Sequence, residues 1–302
     1  MKSVSIKGDD YKIKVPKKSA FTIETPPDQV KLHQLSAVCA SRGSGKSVII
    51  SSLLQGLKRQ GCMDRIFLMS PTIESNRYTF APLNIDPEDE YPNPSPDALK
   101  DIIAKCNAEM DEWEAYEQAR YEYKLLQKIL NNQKVSVEDI PPDLLIRAME
   151  GNFINEEPKC KYGHKPVLAL IVDDLQGTPL YNQSSKNPFI NMCLRHRHIA
   201  RGLGLSIFMA VQSYNSPSGI PRSVRQNLTT LLLGQQKNKD VMDGIANELG
   251  GTIAREKFLE IFNHVMADGN PHTFLMIDFC PKSPDKMFRK NLGEYIIAHG
   301  AS

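Results

Sequence analysis

Ala40-Ser41-Arg42-Gly43-Ser44-Gly45-Lys46-Ser47, ASRGSGKS, is the stretch whose reading decides the fold. It fits the phosphate-loop pattern Ala/Gly-x-x-x-x-Gly-Lys-Ser/Thr. Gly43 and Gly45 let the backbone turn its N–H groups inward around a phosphate chain. Lys46 can reach the β and γ phosphates, and Ser47 offers a hydroxyl to Mg²⁺. Such a loop needs a buried strand before it and a helix after it, whose positive dipole end faces the anion. Residues 34–39 are a short, mostly apolar run and 48–59 read as a helix, so both flanks are present. Ala40 stands where Gly is commoner, and the pattern admits either.

Moving outward, residues 167–172 (VLALIV) are the most apolar run in the chain and end in Asp173-Asp174. A carboxylate at the C-terminal end of a neighbouring buried strand can hold Mg²⁺, and the next one can polarise an attacking water. We assign Asp173 to the metal and Asp174 to the water. Residues 205–211 (LSIFMAV) form the next strand and end at Gln212, where a polar side chain would face the γ-phosphate. Runs at 65–69 (RIFLM), 229–233 and 273–279 complete the set. Buried apolar runs alternating with helical segments predict an α/β fold, a mostly parallel sheet with helices on both faces.

Between these runs lies a different composition. Five prolines (82, 87, 92, 94, 96) and the acids Asp86, Glu88, Asp89 and Glu90 mark an exposed connector. A long helical pattern follows over 97–133, with Leu99, Ile103, Cys106, Met110 and Trp113 as its apolar stripe and Tyr123, Leu126 and Leu130 resuming it. The stretch 72–160 holds 19 acidic against 9 basic residues, whereas 175–239 holds no acid and eight basic residues. A near-neutral total of +2 therefore conceals an acidic block and a basic one. The basic block attracts polyanions, unless its charges pair with the acidic block across the fold.

The 302 residues, 41% hydrophobic and 24% charged, have globular composition, which excludes a disordered or fibrous chain. No run approaches a membrane span and the N-terminus lacks the apolar core of a signal peptide, so a soluble intracellular protein is expected. Six scattered cysteines without a C-x-x-C pair read as reduced thiols. The expected organisation is N-terminal strands at 1–33, a P-loop ATPase domain at 34–281 interrupted by the insertion at 72–160, and a C-terminal segment at 282–302.

The order phosphate loop, Asp-Asp strand, Arg195-His196-Arg197-His198 helix, Gln212 strand, then Pro221, Arg225 and Asn227 resembles the FtsK–HerA superfamily of DNA-pumping ATPases. It is most similar to the genome-packaging ATPases of poxviruses, related large DNA viruses and virophages. The resemblance spans about residues 34–235, excluding the insertion. It implies a RecA/FtsK-like P-loop NTPase fold and a homo-oligomeric ring. Such a ring would hydrolyse ATP with Mg²⁺ to thread double-stranded DNA, without sequence preference, into a preformed capsid. Capsid or portal-type proteins would be partners, and the host-cell virus factory or the virion the location. It further implies an arginine that reaches a neighbour's nucleotide, with Arg197 the first candidate and Arg225 the second. Arg195, Arg201 and Arg222 lie in the same two segments.

Two other functions fit the loop. A P-loop kinase of a small molecule or nucleotide would need a phosphoryl acceptor. A nucleotide-gated scaffold would need binding without turnover.

Overall fold

Residues along the strands alternate between two apolar clusters, as a two-residue period requires when both sheet faces are covered. Leu35, Ala37, Cys39, Phe67, Leu170 and Val172 face one cluster, while Val38, Ile66, Leu68, Ala169 and Ile171 face the other. The computed structural model describes residues 23–131, 140–149 and 156–297, apart from 177, 179, 181–183, 185, 217–218, 237–238 and 252. The strands expected before residue 23 lie outside the described residues.

The chain runs β1 (Leu35–Cys39), α1 (Lys46–Arg59), β2 (Arg65–Met69), α2 (Ile73–Phe80), β3 (Glu90–Tyr91), α3 (Pro96–Leu130) and α4 (Pro142–Met149). It continues with β4 (Leu168–Asp173), α5 (Pro188–Arg195), α6 (Ile199–Gly202), β5 (Ser206–Val211), α7 (Arg222–Arg225) and β6 (Thr230–Leu233). It closes with α8 (Lys239–Glu248), α9 (Arg255–Met266), β7 (Leu275–Asp278), β8 (Phe288–Lys290) and β9 (Glu294–Tyr295). The nine strands of the described residues form one sheet in the order β3-β2-β4-β5-β1-β6-β7-β8-β9. The first six of that order are parallel, and β7, β8 and β9 add on antiparallel. The α/β class and mostly parallel sheet expected from the alternating apolar runs are therefore present.

Helices α1 and α2 cover one face, with Ile50, Leu54, Leu57 and Phe80 in its cluster. The other face takes α3, α5, α8 and α9. No helix among the described residues is long and apolar enough to cross a membrane.

Three expectations need correction. The acidic strand β4 is not the neighbour of β1, because β5 lies between them. The proline-rich connector is not wholly exposed: Glu90–Tyr91 pairs with the edge of β2, and Leu83 and Asp89 are buried. Proline's missing N–H is tolerated there since a two-residue edge strand needs few ladder bonds. The buried stripe of α3 runs through Ile102, with Ile103 at its margin.

Helix α3 starts where Ser95 Oγ accepts from Ala98 N at 3.1 Å, with Pro96 in the first turn. It packs with Leu99, Cys106, Met110 and Trp113 in the main cluster, so deleting it would uncover that face. It also meets the basic block. Arg201 pairs with Asp111 and Glu114 of α3, across a turn in which Ala200 and Arg201 both take left-handed φ (49° and 55°). The cross-fold pairing weighed from composition thus operates at Arg201.

Candidate active site

The site is assembled at the C-terminal ends of β1, β5 and β4. Register sets Cys39 beside Val211 and Asp173 beside Ala210, so three strand ends come out level. The phosphate loop leaves β1 there, and Gly43 and Gly45 take φ of 79° and 90°, a region open to glycine. Helix α1 then begins at Lys46 with no acidic residue in its first turn, which keeps negative charge away from its N-terminal N–H groups.

The Lys46 ammonium is folded back on its own loop. Its Nζ donates to Ala40 O at 3.1 Å and Ser41 O at 3.0 Å, while Ser44 Oγ donates to Ser41 O at 2.8 Å. Burial pushes the Lys46 pKa below its usual value, with the charges of Asp173 and Asp174 opposing that shift. Arg42 is exposed at the loop tip.

Ser47 Oγ donates to Asp173 Oδ2 at 2.8 Å, joining the first turn of α1 to the end of β4. Burial raises the Asp173 pKa, and the Ser47 hydrogen bond opposes the rise. A hydroxyl and a carboxylate oxygen in contact are the hard oxygen donors Mg²⁺ prefers, with phosphate and water to complete the shell. The residues present therefore fit the ion. Asp174, the next residue, turns sharply off the strand with φ 53°, a value Asp tolerates better than most residues. Gln212 is exposed just past the end of β5, the strand that lies between β1 and β4.

The two arginines singled out from sequence sit elsewhere. Arg197 follows α5 at the N-terminal ends of the strands, where His196 O accepts from Leu205 N and the His196 ring meets His33 O at 3.1 Å. That is the end of the sheet opposite the phosphate loop. Arg197 is exposed, as are Arg195 and Arg222, and none of the three has an ion-pair partner among the described residues. Arg225 is held on its own chain: its Nε and Nη2 donate to both Glu248 oxygens at 2.9 and 2.7 Å, and Nη1 donates to Ile220 O.

Three further residues border the site. Asn76 on α2 donates to Asp173 Oδ2 at 3.3 Å. Gln236 donates to Cys39 O at 3.2 Å beneath the loop. The His272 ring meets Ser44 O at 3.0 Å. No sequence motif marks them, because each lies on a segment that only the sheet order brings to the loop. A further fit explains Ala40: a Cβ built on Gly234 would stand 2.6 Å from the Ala40 Cβ, so Gly234 makes the room that Ala40 occupies.

A phosphate loop after a central strand, a serine-to-aspartate contact and a polar strand end between them define the class: a P-loop α/β nucleotide-binding fold. No family profile and no curated protein matches the chain. Among solved structures, the chain is similar to the genome packaging NTPase B204 from Sulfolobus turreted icosahedral virus 2 in complex with ATPγS. That match has 13% identity and TM-score 0.40, covering 88% of this chain and 98% of that one. It is also similar to EssC (ATPases 2 and 3) from Geobacillus thermodenitrificans, with 15% identity and TM-score 0.43, over 89% of this chain and 41% of that one. A third is the cytoplasmic domain of the Thermomonospora curvata type VII secretion ATPase EccC, with 12% identity and TM-score 0.39, over 89% and 26%.

Proposed function

We propose that this chain is an ATP-hydrolysing motor of the FtsK–HerA type that moves double-stranded DNA as a homo-oligomeric ring, serving to package a viral genome into a preformed capsid. The observation that carries the hydrolytic part is the contact of Ser47 with Asp173, which sets the phosphate loop against paired carboxylates, with Gln212 ending the strand that lies between β1 and β4. This arrangement supports a site built to activate water.

In this reading the loop N–H groups from Ser41 to Ser47 hold the phosphate chain, and Lys46 leaves the Ala40 and Ser41 carbonyls for the β and γ phosphates. Ser47 and Asp173 hold Mg²⁺, which when bound supplies charge neutralisation on the phosphates. Asp174 orients the attacking water and takes its proton, and Gln212 fixes the γ-phosphate. Arg197, remote from its own loop, meets a phosphate only on a neighbouring subunit. Arg225 would first have to leave Glu248, which makes it the lesser candidate.

The DNA part rests on the acid-free segment and its exposed Lys186, Arg195, Arg197 and Arg222. Phosphate contacts without base-edge readers suit sequence-independent tracking. Residues 34–281 form the motor in this reading, completed by β8 and β9 of the C-terminal segment, with the acidic insertion at 72–160 as a docking element for capsid or portal-type proteins.

The test is the ATPase rate with and without double-stranded DNA, beside sizing of the complex with nucleotide bound. Stimulation by duplexes of any sequence, weakening steeply with salt, is expected. A rate indifferent to DNA, or a monomer at every nucleotide state, would refute the motor.

A further inference from the structure

The flank of the phosphate loop opens into a cavity of about 480 Å³ that the phosphate chemistry does not use. Gly45 and Val48 form one wall, and His272, Phe274, Asn291 and Leu292 from the antiparallel part of the sheet form the other. Val48, two residues after Lys46, keeps its apolar side chain 55% exposed here. An apolar slot opening directly off a triphosphate cradle suits a flat heterocycle, whose faces stack on aliphatic and aromatic groups.

Among the polar residues that line this slot, Asn291 and His272 each have one end already engaged by the backbone. Asn291, at φ 53°, accepts from Phe274 N through Oδ1 at 2.9 Å, and its own N–H donates to Phe274 O at 2.8 Å. That assigns the amide orientation. Nδ2 remains a donor, with no partner among the described residues. His272 Nδ1 meets the Ser44 carbonyl at 3.0 Å, and a carbonyl only accepts, so Nδ1 carries the proton. In the neutral ring Nε2 is then an acceptor.

We propose that the base of the nucleotide lies in this slot, held at N7 by Asn291, and that His272 selects adenine over guanine. The inference rests on the nucleotide-site reading above and adds the selectivity of that site. Adenine shows an N7 acceptor beside an N6 donor, which a donating Asn291 and an accepting His272 complement. Guanine offers Asn291 the same N7 acceptor but shows O6 where adenine has the N6 donor, so two lone pairs would meet at His272.

The experiment measures equilibrium binding of ATP, GTP and inorganic tripolyphosphate to the full chain and to Asn291→Asp. Aspartate tolerates the left-handed backbone and keeps the acceptor for Phe274 N, but turns the free donor into an acceptor. The wild-type chain should prefer ATP to GTP. In N291D, ATP and GTP affinity should both fall by about tenfold, the cost of one mismatched polar contact at the N7 they share, while tripolyphosphate affinity holds. Bound tripolyphosphate also certifies that the variant is folded. Equal affinity of the wild-type chain for ATP and GTP, or ATP binding unchanged in N291D, would overturn the proposal. So would equal loss of all three ligands, which would make Asn291 a support of the loop. If the wild-type chain bound neither ATP nor tripolyphosphate, the nucleotide-site reading itself would fail and take this inference with it.

Discussion

The Ser47 hydroxyl donates to Asp173 Oδ2 at 2.8 Å across 126 positions of sequence. The first helical turn after the phosphate loop is thereby tied to the carboxylate that ends β4. Nothing local produces this contact. It exists because β1, β5 and β4 are parallel and end level, so their C-terminal ends open on one crevice.

Lys46 and Asp174 should separate binding from turnover. Lys46→Ala removes the cation for the β and γ phosphates and is expected to lower nucleotide affinity and turnover together, turnover by about 10²–10³. Asp174→Asn keeps a residue suited to φ 53° and should retain nucleotide while turnover drops by about 10²–10⁴. Calorimetric binding beside steady-state phosphate release decides the matter, and a D174N enzyme of full activity would remove Asp174 from the mechanism.

Gly234→Ala should destabilise the fold by about 1–3 kcal/mol, since the new methyl would stand 2.6 Å from the Ala40 Cβ. Adding Ala40→Gly clears that clash. Urea unfolding of the two single variants and the double should show the double more stable than G234A alone. Additive losses would mean that the two positions do not compete for the same space.

Arg65 anchors the connector and α3 to the sheet edge. Its guanidinium grips Asp89 at 2.7 and 2.8 Å and Glu109 at 3.0 Å, and both carboxylates are only 2% exposed. Arg65→Met would leave two buried anions short of a partner, although Lys105 and Lys161 still reach them. A loss of about 3 kcal/mol is expected in denaturant unfolding. A change below about 1 kcal/mol would place the network among weak surface pairs.

His33 carries an acid-side prediction. Burial, then the nearby charges of His196, Lys165 and Arg197, push its pKa down from 6.5 to about 4. Folding therefore favours the neutral ring. Its contribution is complete above pH 6.5, declines as the unfolded chain takes up protons below that, and is gone near pH 4. Thermal melts between pH 7 and 4 should show stability falling, and His33→Asn, tolerated at φ 59°, should flatten the slope. A wild-type profile level across this range would contradict it.

Much of this was legible in the chain itself. ASRGSGKS, VLALIVDD and LSIFMAVQ name their elements because buried strands are apolar runs and a phosphate cradle needs glycines at set positions. The long helix was equally plain, though its stripe drifts to Ile102 because 35 residues at 3.6 per turn do not keep a fixed spacing. Less visible was the edge strand at Glu90–Tyr91, since two residues carry no periodicity.

What sequence alone determined was local: which segments could be strands, where the backbone could wrap a phosphate, and which carboxylates stood at a strand end. Tertiary structure decided the neighbours. It placed β5 between β1 and β4, brought Asn76, Gln236 and His272 to the loop, took Arg225 out of reach with Glu248, and left Arg197 at the far end of the sheet. The reason is physical. Backbone preference and apolar period act over a few residues, whereas strand order and side-chain partners follow from burying both faces of one sheet at once.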